Sequence, residues 1–94
     1  MATNVKSYAV SGNTAAIHTG PVTLSGYTMA NTTANAATIT VFNALTAAGA
    51  VVLTDTVAAN TSKIFQMPPV YCSVGISVAI TGTTPNAVGS VLLD

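Results

Sequence analysis

The chain has 94 residues, half of them hydrophobic and only 4% charged, whereas a soluble domain ordinarily carries about 25% charged residues. Lys6, Lys63, Asp55 and Asp94 are the whole ionised inventory, and they cancel. Two lysines far apart cannot form a phosphate-binding surface, so no nucleic-acid partner is expected; no run approaches the roughly 18 apolar residues of a membrane-spanning helix; and the chain is too hydrophobic for a disordered segment.

The length fits one domain over residues 1–94. A domain near this size buries only roughly 60% of the surface its unfolded chain exposes, so its own core is modest. Net charge near zero does little to keep free copies apart, which suits a subunit that hides much of its surface in an assembly. Cys72 is alone, so it can form no intrachain disulfide, and it reads as a small buried hydrophobe. Met1 to Lys6 lacks the charged-then-apolar layout of a secretory signal, so the chain is expected to stay in a cytoplasm until it assembles. The glycosylation sequons at Asn31 and Asn60 are set aside on the same ground.

Val5 to Val10 reads as a first strand closed by Ser11-Gly12-Asn13, and Ala15 to His18 as a short edge piece ended by Gly20-Pro21. In Val22 to Met29 the apolar parity changes: Val22 and Leu24 share one face, Tyr27 and Met29 the other. Gly26 sits at the change, which predicts a β-bulge that returns Tyr27 and Met29 to the core. Ala30 to Asn35 is loop-like; Ala37, Ile39 and Val41 then alternate with Thr38, Thr40 and Phe42. The Ala-rich piece Asn43 to Ala50 is too short for an uncapped helix and reads as a strand end with a turn at Gly49.

The next strand runs from Val51 to about Val57, Ala58 to Ser62 turns, and Lys63 to Met67 returns. A turn centred on Ala59 sets Asp55 opposite Lys63, an exposed pair worth roughly 0–1 kcal/mol that would fix register. Exchanging both charges is expected to be tolerated, and Lys63→Asp alone is not. Val74 to Thr81 is the clearest strand of all: Val74, Ile76, Val78 and Ile80 occupy one face, small uncharged residues the other, with Pro68-Pro69 before and Gly82 to Pro85 after. It reads as a central strand. Val88 to Leu93 is apolar on both parities, which predicts a last strand covered on two sides. The pattern as a whole is all-β: a small antiparallel β-sandwich, jelly-roll-like, with seven or eight short strands.

Chemistry is sparse. His18 is the one histidine, and acid–base work needs a partner that holds the imidazole, a role open only to Asp55 or Asp94. No Gly-x-Ser-x-Gly elbow, phosphate cradle or metal-ligand spacing is present, so neither an enzyme nor a cofactor or metal is expected. Among the aromatics, Phe42 opposes the parity of Ile39 and Val41, which suits a glycan platform, packing under a loop, or contact with a neighbouring copy. Tyr71, beside Pro69, suits an interface anchor or a strand-end residue in water.

Two stretches carry a resemblance. Ile39 to Ala44 with Gly49 and Val51-Val52-Leu53, and Phe65 to Pro68 with Gly75 to Thr83 and the closing valine strand, resemble small all-β virion proteins of tailed bacteriophages, of the kind that decorate or cement the head. The likeness covers roughly residues 37–93 and contains no catalytic motif; the first 36 residues do not share in it. It implies a virion subunit, often trimeric, assembled in the bacterial cytoplasm and bound over joints of the major capsid protein. Many such proteins grip the coat protein with an extended terminal arm, and residues 2–11 fit either such an arm or an edge strand; interface residues are expected at Val5, Tyr8, Phe42 and Tyr71. This chain departs from such proteins in carrying less charge. A tail, neck or fibre component and a glycan- or host-surface-binding module are the alternative functions.

Overall fold

Extended segments, several with period-two alternation, build the protein, whose computed structural model describes residues 6–11, 14–46, 48–82 and 88–94. Eight strands result: β1 (Lys6–Ser11), β2 (Thr14–Thr19), β3 (Val22–Asn31), β4 (Ala37–Asn43), β5 (Ala50–Val57), β6 (Thr61–Cys72), β7 (Gly75–Thr81) and β8 (Val88–Leu93). They form two four-stranded antiparallel sheets, sheet I in the order β1-β8-β3-β6 and sheet II in the order β2-β7-β4-β5. The ladders β4–β5, β3–β6, β2–β7 and β1–β8 nest inside one another, like one long hairpin folded over. Additional ladders β3–β8 and β4–β7 roll that ribbon into a sandwich. This is jelly-roll connectivity.

The core lies between the sheets. Leu24, Tyr27, Met29, Val91 and Leu93 from sheet I meet Ile39, Val41, Ile76, Val78 and Ile80 from sheet II, all buried. Register shifts between Leu24 and Gly26 against both β6 and β8, as the parity change predicts, and Tyr27 and Met29 return to the interior. Gly26 has φ +152°, and a Cβ there would run into the backbone carbonyl of Phe65. β7 is central, flanked by β2 and β4.

Three expectations need correction. β5 and β6 are not a hairpin: they lie in different sheets, because the nested pairing gives β5 to β4 and β6 to β3. β6 does not stop before the prolines but runs through them to Cys72. It can do so because it is an edge strand and because its register slips there, with Met67, Pro68 and Pro69 bulging between the pairs Gly26–Gln66 and Leu24–Val70. β8 is flanked by β1 and β3, but its chain covers only one face: Val91 and Leu93 are buried, whereas Val88 is 52% exposed. Lys6–Ser11 of the expected arm forms an edge strand on β8. Val5 and the expected turn around Thr84 lie outside the described residues.

Candidate interaction surface

The few residues with chemical potential are drawn to opposite margins of the sandwich. On the β1/β2 side, the half-buried His18 meets the ring of Tyr8 edge-on, centroids 6.2 Å apart, and its buried Nδ1 has no hydrogen-bond partner among the described residues. On the β5/β6 side, Lys63 Nζ donates to Asp55 Oδ2 at 2.7 Å, and the hydroxyl of buried Tyr27 donates to the same oxygen at 2.5 Å. These bonds, with the amide of Thr56, hold the Asp55 carboxyl below the usual carboxylate range, Lys63 contributing most. Burial, reinforced by the Asp55 carboxylate, pushes the Tyr27 phenol well up. Burial likewise raises the Cys72 thiol, which sits in the core. His18 and Asp55 therefore do not form a pair, and among the described residues no three His, Cys, Asp or Glu side chains cluster.

The two broad faces offer more. On sheet II, Thr38, Thr40, Thr54, Thr56 and Thr81 share the outer side of adjoining strands, with the Thr40 and Thr54 hydroxyls 3.3 Å apart. Next to this hydroxyl face, the β4–β5 connection is fastened to β7. Ser77 Oγ donates to Ala44 O at 2.8 Å and accepts from Ala16 N at 3.0 Å, while Asn43 Oδ1 accepts from Val74 N at 2.9 Å. Ser77 is thereby buried on the outer side of its strand, consistent with the small uncharged face read from Gly75, Ser77 and Ala79.

Sheet I presents an open trough of about 680 Å³ across all four of its strands. Register fixes its floor as two rows. Ala9, Ser90, Thr28 and Ile64 stand side by side in one; Val88, Ala30 and Ser62 in the next. No ionisable residue occupies either row. Ile64, 74% exposed, is the most exposed large apolar side chain in the described residues, and Val88 is of the same kind. Lys63 lines the rim but commits its ammonium to Asp55.

The residues expected at an interface are scattered. Tyr71 is 66% exposed on β6, opposite Thr23, on the same outer side as Ile64. Phe42 is half-buried on β4, with Val51 and Ser77 as its register partners. Tyr8 is partly buried and packs against the core. The sequence reading missed Ile64 and Val88, although their signal was present: each is a large apolar residue two positions from a serine, Ser62 or Ser90, on the parity opposite the core.

The chain matches no protein-family model, no curated protein and no solved structure.

Proposed function

We propose that the protein is a non-catalytic structural subunit of a virus particle, most specifically a decoration or cement subunit of a bacteriophage head that binds over joints of the coat protein. The observation that carries the reading is the open trough on the outer side of sheet I, whose two floor rows hold no ionisable residue and include the exposed Ile64 and Val88, with Lys63 at the rim paired to Asp55. Apolar area left open on a monomer marks a surface that another protein covers. Jelly-roll sandwiches recur in capsid proteins, which supports the reading at the level of fold analogy, and the resemblance of residues 37–93 to head-decorating proteins supports it from sequence. A standard contact buries about 800 Å² per partner, and many such contacts repeated over a shell act through avidity.

The test is a density gradient of a lysate from cells producing the particle, with the chain followed by antibody, and then electron cryomicroscopy of the peak. Co-migration with filled heads, and density of this fold over coat-protein joints, are expected. Density on the tail, neck or fibres would move the subunit to that position. Recovery of the chain solely in the free-protein fraction would overturn the proposal.

The exposed Tyr71 ring favours a second reading, a glycan-binding module, because jelly rolls also include lectin domains. Glycan-array binding by the isolated protein, lost on Tyr71→Ala, would establish it.

A further inference from the structure

We infer that the outer face of sheet I is a self-association surface, on which two copies pack face to face about a two-fold axis running along the strands between β8 and β3. The inference rests on the reading of the chain as an assembling subunit but not on the identity of the particle.

The pattern of large and small residues on the two rows carries it. In the first row the bulkiest residue, Ile64, stands at the β6 margin and the smallest, Ala9, at the β1 margin, three strand spacings or about 14 Å away. In the second, Val88 on β8 and Ala30 on β3 are adjacent and flank the centre line. A two-fold axis along that line maps β6 onto β1 and β3 onto β8. Ile64 of each copy then lies over Ala9 of the other, and Val88 over Ala30, so every protruding side chain faces a small one. A two-fold contact needs this self-complementarity, because each copy supplies the same patch.

Charge and area agree with a second copy as the occupant. Two rows with no ionisable residue offer nothing for a charged partner to pair with, whereas the same two rows of a second copy leave no buried charge unpaired. The broad face measures at most 37 × 29 Å in Cα outline, or about 1,100 Å², against the about 800 Å² per partner of a standard interface. The lateral route to assembly at the β5/β6 margin is obstructed: edge strands β5 and β6 carry the Asp55–Lys63 pair between them, and Pro68-Pro69 interrupts the outer edge of β6. Inward charges and prolines of this kind discourage strand-to-strand addition.

The experiment is disulfide trapping combined with sedimentation of the purified chain. Ala9→Cys/Ile64→Cys is expected to form a covalent dimer under mild oxidation, and Ile64→Cys alone is not, because the two Ile64 positions are held on opposite margins of the contact. Ile64→Lys, a change at an exposed site that leaves the fold intact, is expected to convert the dimer to monomer, while Thr54→Lys on sheet II leaves it unchanged. A monomeric wild type, a trimer as the phage resemblance implies, or a dimer that survives Ile64→Lys without double-cysteine trapping would each overturn the inference. None of these outcomes bears on co-migration with particles, so the two proposals fail separately.

Discussion

Asp55 and Lys63 meet at 2.7 Å across the gap between two sheets, although no ladder joins their strands; the ladder partner of Asp55 is Ile39 and that of Lys63 is Met29. The pair therefore closes the mouth of the sandwich over Tyr27, which donates its hydroxyl to the same carboxylate oxygen. Two of the four charged side chains of the protein are spent on this closure, and neither floor row of the sheet I trough carries a charge.

The charge exchange expected to be neutral for a hairpin pair is thus not neutral. Asp55→Lys with Lys63→Asp would set an ammonium against a hydroxyl that now donates to a carboxylate. We predict a loss of about 1 kcal/mol in urea unfolding, the net contribution of a typical hydrogen bond. The loss should shrink in a Tyr27→Phe background, and equal losses in both backgrounds would show that the hydroxyl is not involved.

Stability should fall at both ends of the pH scale. The folded-state pKa of Asp55 is depressed, so its contribution is present above the ordinary carboxylate value near 4 and disappears as pH falls through the lower folded value. The folded-state pKa of Tyr27 is raised, so its contribution is present below about 10 and is lost as pH climbs above it. Thermal unfolding against pH is expected to lose most of its acid slope in Asp55→Asn and to flatten on the alkaline side in Tyr27→Phe.

Gly26→Ala tests the bulge. Its φ of +152° and the carbonyl of Phe65 both oppose a Cβ, so a loss above about 2 kcal/mol is expected, the sum of backbone strain and forced displacement. Gly20, at φ +93°, has open space where a Cβ would go, and Gly20→Ala should cost only the strain, roughly 1 kcal/mol. Similar losses at the two sites would contradict the close approach of β3 to β6.

Asn31 holds two loops together at one end of the sandwich. It is buried at the end of β3, and its Nδ2 shares its two hydrogens among Asn35 O, Val57 O and Ala58 O at 2.8, 3.1 and 3.2 Å. Its Oδ1 accepts from the amide and hydroxyl of Thr33. Asn31→Ala strands these groups and should cost about 1–3 kcal/mol, with faster amide exchange at Thr33 and Asn60, whose own N–H bonds Thr33 O at 3.0 Å.

The strands, the bulge and the centrality of β7 were legible because alternation reports which residues share a face, and Gly26 marks where the phase slips. Alternation does not report which sheet a strand joins, so the separation of β5 from β6 could not be read, and the Asp55–Lys63 contact was anticipated for the wrong reason. Asn31 looked like a loop residue because Asn favours turns. Its place on the Tyr27–Met29 parity was the overlooked sign of burial. The trough was hidden in a similar way, since Ile64 and Val88 become neighbours of Ala30 only once β6, β3 and β8 are laid side by side.

An interface built without charge should be indifferent to screening. Association of the purified chain is predicted to change less than twofold between 50 mM and 500 mM sodium chloride, figures chosen to take the Debye length from about 14 Å to about 4 Å. Sodium sulfate should strengthen it, because excluded salts favour burial of apolar surface. A steep loss with sodium chloride would point to ion pairing that the face cannot supply.

Sedimentation velocity of the purified protein over a hundredfold concentration range measures most directly whether this exterior is made to be covered by protein. The account predicts that the chain associates reversibly as concentration rises and that Ile64→Lys abolishes the association. A single monomeric species at every concentration, indistinguishable from the Ile64→Lys variant, would contradict it.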